Sequence, residues 1–219
     1  DVIDIGLSST ATVVIAVTGE KADGGLITVD RDNPKEWIAL KLLNGKGEFI
    51  SEQDGKWILD RVSKDAYVFA PVEKLGSRAE NNSYPEKHIQ AVLQYPLVDR
   101  QAIQNKNFKV VVDVINSTGA LFVPALLKAL GVEQITILNE EVNGKFAHNP
   151  EPLPENLSAL SAEVKKTGAD LGIAVDPDVD RLCFVCEDGS MFGEEFTLVA
   201  VADYVLASRP GNSVSNMSS

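Results

Sequence analysis

The chain has 219 residues, 44% of them hydrophobic and 24% charged, which is the composition of an ordinary globular protein with one large core or two small ones. Its 32 acidic and 20 basic residues give a net charge of −12, and no basic patch stands out, so nucleic acid and anionic membrane surfaces are not expected as partners. With no apolar run long enough to span a bilayer and no signal peptide at its start, we expect a cytoplasmic protein.

The first 98 residues give a mixed pattern. Apolar runs in residues 2–6 and 24–29 predict two strands. Residues 34–43, "PKEWIALKLL", predict an amphipathic helix with proline in its first turn, and residues 84–98 predict another helix. The polar segment 76–88 contains glycine, serine and proline, and it is the best candidate for a linker.

The pattern becomes regular from residue 99 onward, where apolar strands alternate with helices of ten or more residues. This alternation indicates right-handed βαβ units and an open parallel sheet. The predicted strands are "FKVVVDVI", "VEQITILNE" and "ADLGIAV", the helices between them are "LFVPALLKALG" and "PENLSALSAEVKKTG", and a hairpin in "RLCFVCEDGSMFG" precedes a last helix, "EEFTLVAVADYVLA". We therefore expect residues 99–208 to form one α/β unit.

Three carboxylates follow the third of these strands at alternate positions, Asp176, Asp178 and Asp180, and Arg181 comes next. Because clustered like charges repel, we expect something positive among them. The carboxyl ends of parallel strands are where ligands bind in open α/β sheets, and Mg²⁺ prefers a few carboxylates together with phosphate or water oxygens. The pattern thus predicts a divalent metal site, and Arg181 beside it could grip a phosphate oxygen.

Two other interpretations of the acidic segment stay open. Asp176, Asp178, Asp180 and Glu187 have the spacing of calcium ligands in an EF-hand, but the sixth position of that loop needs glycine and here holds Arg181. The residues that follow are strand-like, whereas an EF-hand loop runs into a helix. The carboxylates could also belong to a solvated turn without a ligand.

Four stretches, "ADLGIAVDPDVDR", "FAHNPEPLPENL", "VVDVINSTGALFVPALLKALGV" and "GGLITVDRDNPKEWIALKLLN", resemble the α-D-phosphohexomutase superfamily, in particular phosphoglucomutases and phosphomannomutases. The resemblance implies an α/β chain of two consecutive three-layer α/β domains with mixed, mainly parallel sheets, the first one truncated. Residues 1–98 would be the later part of domain 1, residues 99–208 domain 2 with its metal loop, and residues 209–219 the start of domain 3. The other domains would lie outside this sequence.

The same resemblance implies a function. The family catalyses Mg²⁺-dependent intramolecular phosphoryl transfer on hexose phosphates through a phosphoserine, so the expected partners are a hexose phosphate and the missing domains. By that resemblance Asp176, Asp178 and Asp180 would hold Mg²⁺ and Arg181 a phosphate oxygen. Lys41 matches a family lysine near the reacting oxygens, although on the predicted helix it could equally be a solvated lysine.

One family motif is altered. The phosphohexomutase pattern "TASHNP" aligns with "VDRDNP", residues 29–34, so that Arg31 takes the place of the nucleophilic serine and Asp32 that of the histidine. Arginine has no ester-forming oxygen and cannot carry the phosphoryl group. We therefore expect this chain to be inactive as a mutase, although the resemblance assigns it to a family of enzymes. The alternative to a phosphohexomutase is a non-catalytic metal-binding relative that acts in assembly or regulation. A second "HNP", residues 148–150, is interpreted as a turn that enters a helix.

Overall fold

The structure, a computed structural model, describes residues 1–30 and 38–214, apart from the side chains of Asp30, Glu194 and Glu195. The strands described are β1 Val2–Asp4, β2 Gly24–Asp30, β3 Ile38–Asn44, β4 Arg78–Glu80, β5 Lys109–Asp113, β6 Gln134–Leu138, β7 Leu171–Val175 and β8 Leu182–Cys186. The helices are α1 Thr10–Gly19, α2 Glu52–Ser63, α3 Tyr84–Leu93, α4 Arg100–Lys106, α5 Gly119–Leu130, α6 Ser158–Thr167 and α7 Glu194–Ser208. Single 3₁₀ turns lie at Val72–Lys74 and Pro154–Asn156.

The largest sheet has four strands in the order β6-β5-β7-β8. Strand β5 pairs in parallel with β6 and with β7, and β8 adds an antiparallel edge to β7. Helices α5 and α6 connect the parallel strands, as the alternating pattern of the sequence predicts. The predicted mixed, mainly parallel α/β fold is confirmed.

Both faces of this sheet are covered by helices, because the side chains of β5 alternate between two apolar clusters. Val110 and Val112 pack with Phe122 of α5 and Ile89 of α3, whereas Val111, between them, packs with α6 residues. A strand that is buried on both faces reads as a continuous apolar run, which explains "VVV" at the centre of the sheet. The result is a three-layer arrangement of helix, sheet and helix.

The earlier part of the chain contains two small sheets. Strands β1 and β4 pair in parallel, and β2 pairs antiparallel with β3 along their whole length, from Gly24↔Asn44 to Asp30↔Ile38. Helix α1 covers β2 and β3 through Val17, which packs with Ile27 and Leu43. Helix α3 contributes to the core of the four-stranded sheet although it precedes residue 99, and the predicted domain boundaries stay a prediction.

The helix predicted over residues 34–43 is wrong where the structure describes it, since residues 38–44 form strand β3. Exposure alternates along this strand, with Ile38 and Leu40 at the surface and Leu43 buried against α1. Pairing with β2 along its whole length satisfies the backbone groups on one edge of β3, so a partner distant in sequence decides its conformation. Lys41 therefore lies on a strand and not on a helix.

Three helices were not predicted, namely α1, α2 and α4. Helix α1 has a sequence rich in threonine, valine and isoleucine, which lowers its intrinsic helix propensity, but Ser9 caps it by accepting from Thr12 N. Helix α2 begins with a capping box between Ser51 and Asp54.

None of the helices in the described residues has both the length and the hydropathy that crossing a membrane requires.

Replacing Leu160 with alanine should destabilise the protein by about 3 kcal/mol, because this fully buried α6 side chain fills the cluster beneath β5 and β7. Leu121→Ala is the matched control, since that leucine is 51% exposed on α5. Urea unfolding monitored by circular dichroism would measure both changes. Equal effects of the two substitutions would contradict the three-layer packing.

Candidate metal centre

The acidic segment forms a tight loop between β7 and β8, at the carboxyl end of β7. Asp176 organises it, because its Oδ1 accepts hydrogen bonds from the backbone N–H groups of Asp180 and Arg181, each at 3.0 Å. Val179 N donates to the Asp176 carbonyl at 3.1 Å, and Val179 itself has a φ of +58°. The loop conformation is therefore fixed from within by its first carboxylate.

Two neighbouring helices also hold the loop. The hydroxyls of Ser117 and Thr118, at the start of α5, both donate to the Pro177 carbonyl at 2.7 Å. Thr10, the first residue of α1, donates its backbone N–H to the Asp178 carbonyl at 2.9 Å and its hydroxyl to the Asp178 carboxylate. Sequence reasoning missed these hydroxyl groups, since no motif marks them as loop contacts.

The three predicted carboxylates converge. One oxygen from each of Asp176, Asp178 and Asp180 lies within 4.8 Å of the others. Asp176 and Asp178 are 1% and 6% exposed, whereas Asp180 is more open. Burial, together with the charges of the other two carboxylates, raises the pKa of Asp176 despite its hydrogen bonds from Arg181. The cluster thus has a surplus of negative charge that a cation can neutralise.

Lys41 is a positive group of the kind that the sequence leads us to expect among the three carboxylates. It projects from β3, and its Nζ donates to Asp178 and Asp180. Partial burial on its own would lower the pKa of Lys41, but these two hydrogen bonds and charges outweigh it and raise that pKa. Burial likewise tends to raise the pKa of Asp180, and the bond from Lys41 reverses this and lowers it. Lys41 is therefore a protonated counter-ion in this structure.

Arg181 is held on the other side of the cluster. Its Nε donates to Asp176 Oδ2 at 2.9 Å, and its Nη1 donates to Glu151 Oε1 at 3.0 Å. Burial on its own would lower the pKa of Arg181. The hydrogen bonds and charges of these two carboxylates outweigh burial and raise that pKa above its ordinary value. Glu151 had not been singled out in the sequence, although it stands in the quoted stretch "FAHNPEPLPENL".

A cavity of about 500 Å³ opens between the β2–β3 pair and the acidic loop. Its polar lining consists of Lys41, Arg181 and the three aspartates. Apolar groups, Val29, Ala39, Leu40, Pro150 and Pro177, complete the wall. The cavity is therefore large enough for a small phosphorylated ligand, and its wall contains both cationic and anionic groups.

The structure thus brings five of the predicted site residues together, Lys41, Asp176, Asp178, Asp180 and Arg181. Arg31 and Asp32 lie outside the described residues. The EF-hand alternative does not fit, because residues 182–186 form strand β8 and Glu187 is exposed after that strand, away from the carboxylate cluster.

The donor set suits a hard divalent cation. Carboxylate oxygens are the ligands that Mg²⁺ and Ca²⁺ take, and three of them already lie close together here, two on buried side chains. Because Lys41 bonds to Asp178 and Asp180, a metal ion would have to displace it from those oxygens. The fold and site together define an α/β protein with a candidate metal centre at the carboxyl edge of a mainly parallel sheet.

Comparison with known proteins agrees with this description. Residues 86–189 match the family model for the phosphoglucomutase/phosphomannomutase alpha/beta/alpha domain II. The chain is 34% identical to a phosphoglucomutase/phosphomannomutase of Thermococcus kodakarensis over 96% of its own length and 46% of that relative. It is 31% identical to a probable phosphoglucosamine mutase of Methanopyrus kandleri over 99% of its length and 47% of that protein.

A solved structure shows the same fold. The crystal structure of a phosphoglucomutase/phosphomannomutase family protein from Burkholderia thailandensis superposes with a TM-score of 0.80 at 25% identity, over 96% of this chain and 45% of that one. The predicted resemblance to the α-D-phosphohexomutase superfamily is confirmed. The chain spans about half the length of the curated relatives it matches.

Replacing Lys41 with methionine should destabilise the metal-free protein at pH 7 by about 1 to 3 kcal/mol, between the values for exposed and fully buried ion pairs. The depressed pKa of Asp180 sets the sign of the pH dependence. The contribution of ionised Asp180 to stability is present above the ordinary aspartate pKa of 3.8. It disappears as pH falls through the lowered pKa that Asp180 has in the folded state.

Urea unfolding in EDTA at pH 7 and near pH 3 would measure this difference, which should shrink in acid. Lys46→Met is the matched control, because Lys46 is exposed in the turn that follows β3. A Lys41 effect as small as that of Lys46 at pH 7 would show that the lysine is not the counter-ion of the cluster.

Proposed function

We propose that the chain carries the magnesium- and phosphate-binding centre of a phosphohexomutase that acts on hexose phosphates. The observation that supports this most directly is the convergence of Asp176, Asp178 and Asp180 at a strand end, with Arg181 beside them and Lys41 opposite. The resemblance of the sequence motifs to this superfamily implies that the acidic loop binds the metal. The names of the relatives include glucose, mannose and glucosamine mutases, so the proposal stays at the level of hexose phosphates.

In this proposal the acidic residues would bind the metal and the basic residues would interact with the phosphate group. The three aspartates would hold Mg²⁺, which when bound supplies positive charge to the oxygens of the phosphoryl group. Arg181 would bind a phosphate oxygen with guanidinium N–H groups beyond those engaged by Asp176 and Glu151. Lys41, which lines the same cavity, would supply positive charge to the phosphoryl oxygens or assist proton transfer.

The phosphoryl step itself needs a nucleophilic oxygen. In the family reaction a serine oxygen forms a bond to phosphorus while the bond from phosphorus to the sugar oxygen breaks, and the serine proton passes to that oxygen or to a base. Arg31 offers no such oxygen. We therefore propose that this chain binds the ligands of the reaction but does not catalyse the transfer.

A second candidate function follows from the residue at position 31 and from the ion pairs of Lys41. With Arg31 in place of serine and Lys41 already paired with two of the carboxylates, the chain could be a non-catalytic relative that uses the centre for assembly or regulation. The missing domains would be partners in either case, since the relatives are about twice as long. The cytoplasmic location predicted from the sequence stays a prediction.

Mg²⁺ should stabilise the protein through the acidic loop. At a hundred times its dissociation constant, a ligand that binds only the folded state adds about 2.7 kcal/mol, and thermal melts with Mg²⁺ and with EDTA would detect this. Asp178→Asn should remove the difference, whereas Asp203→Asn, at an exposed position on α7, should preserve it. Equal melting temperatures with and without Mg²⁺ would refute the metal site.

The chain as given should not interconvert hexose 1- and 6-phosphates at an enzymatic rate. A coupled assay with glucose 1-phosphate, Mg²⁺ and a trace of glucose 1,6-bisphosphate would test this. Two causes act together, the absent serine and the absent parts of the longer relatives, and lost positioning alone removes several kcal/mol of barrier lowering.

Arg31→Ser separates the two causes of inactivity. If only the nucleophile is missing, this variant should accept one phosphoryl group from glucose 1,6-bisphosphate, and intact-mass spectrometry would detect the gain. Robust turnover by the unmodified chain would overturn the proposal that Arg31 abolishes catalysis.

A further inference from the structure

A second cluster of ionisable groups lies at the end of the neighbouring strand, outside the metal loop. Asp113, the last residue of β5, is 2% exposed. Its Oδ1 accepts from Asn139 Nδ2 at 2.9 Å and from the backbone N–H of Ile115 at 3.1 Å, and its Oδ2 lies 2.9 Å from His148 Nε2. Burial tends to raise the pKa of Asp113, but these hydrogen bonds outweigh it and lower that pKa. Asp113 is therefore an ionised carboxylate whose charged partner is His148.

His148 faces an acceptor with each of its ring nitrogens. Nε2 meets the Asp113 carboxylate, and Nδ1 lies 2.7 Å from the Asn149 carbonyl oxygen. A neutral imidazole has one N–H and could donate to one of these acceptors, whereas an imidazolium donates to both. The geometry thus fits the doubly protonated ring, and the bond to Asp113 raises the pKa of His148 in the same direction.

The segment that begins at His148 leads directly to the acidic loop. Three residues later, Glu151 accepts from Arg181 Nη1, and Arg181 Nε donates to Asp176. Local bonds stiffen the connection, since Glu151 N donates to Asn149 Oδ1 at 3.0 Å and Asn156 Nδ2 donates to the Glu151 carbonyl at 2.9 Å. These bonds join the segment that begins at His148 to the backbone of Glu151.

We propose that His148, as an imidazolium on Asp113, is a positioning residue for Arg181. It anchors the segment that presents Glu151 to the guanidinium, and Glu151 in turn orients Arg181 toward the cavity. The inference rests on the proposed function only in taking a phosphate-like anion as the ligand of Arg181. The mechanical link between His148 and Arg181 is independent of that ligand.

The direction of the pH effect follows from the contacts. Asp113 is the charged group in described contact with the ring, and the other partners of this cluster, Asn139 and Asn149, are neutral. As pH rises through the raised pKa of His148, the ring loses a proton and one of its two acceptors is left without a donor. The anchor then weakens, so Arg181 should lose its orientation at high pH and keep it at low pH.

Nuclear magnetic resonance on the full chain can follow both ends of this link. The sequence has two histidines, and His88 is an internal control because burial lowers its pKa. We expect His148 to titrate above the ordinary histidine value of about 6.5, and the Nε–H signal of Arg181 to shift with the same midpoint. Arg181→Lys would assign that signal, and His88→Gln should leave the shift unchanged.

Two variants make the result decisive. His148→Gln should abolish the pH-dependent shift of Arg181, and Glu151→Gln, at a half-buried position where the fold is less at risk, should strongly reduce it. An Arg181 signal that stays constant through the His148 midpoint, or that keeps its pH dependence in His148→Gln, would overturn the inference.

Sulfate provides the functional readout, since its charge is constant over this pH range. Titration calorimetry should show sulfate affinity falling roughly twofold or more above the His148 midpoint, as expected for coupled neighbours, and no such fall in His148→Gln. If the unmodified chain fails to bind sulfate at any pH, the phosphate site of the proposed function is refuted, while the resonance experiment still decides the link between His148 and Arg181.

Discussion

Neutralisation of three crowded carboxylates is the interaction on which the rest of the site depends. Asp176, Asp178 and Asp180 come from one short loop, and their charge is partly offset by Arg181 within that loop and by Lys41 from a distant strand. Lys41 belongs to the β2–β3 pair, so this ion pair also ties the earlier part of the chain to the four-stranded sheet. The ion pairs of Lys41 thus offset the charge of the loop and also help to join the two parts of the chain.

The parts of the fold that local sequence determines were predictable. Strand β5 reads as a buried run because valines occupy both of its faces, and Gly131 and Gly168 end α5 and α6 in the left-handed conformation that glycine adopts at least cost. The carboxylates after β7 were also predictable, since the end of a parallel strand is a ligand-binding edge and their spacing is regular.

The errors arose where distant pairing decides the structure. "IALKLL" fits a helix or a strand by its apolar pattern, and only its pairing with β2 makes it a strand and directs Lys41 to the aspartates. The contacts of Glu151 and His148 likewise join residues about 30 positions apart. Helix α2 is different, because its capping box between Ser51 and Asp54 was legible in the sequence and was overlooked.

Val179 gives the acidic loop a further property. A β-branched residue at a φ of +58° costs about 1 to 2 kcal/mol, and the conformation persists because the surrounding contacts over-determine it. Its side chain packs against the core cluster of the sheet, so the loop cannot relax without losing apolar contacts. A loop held this tightly presents its oxygens at set separations, so a metal ion bound there, as proposed, would be selected by its ionic radius. Such a loop should therefore favour the small Mg²⁺ over Ca²⁺, which takes more oxygen ligands at longer distances.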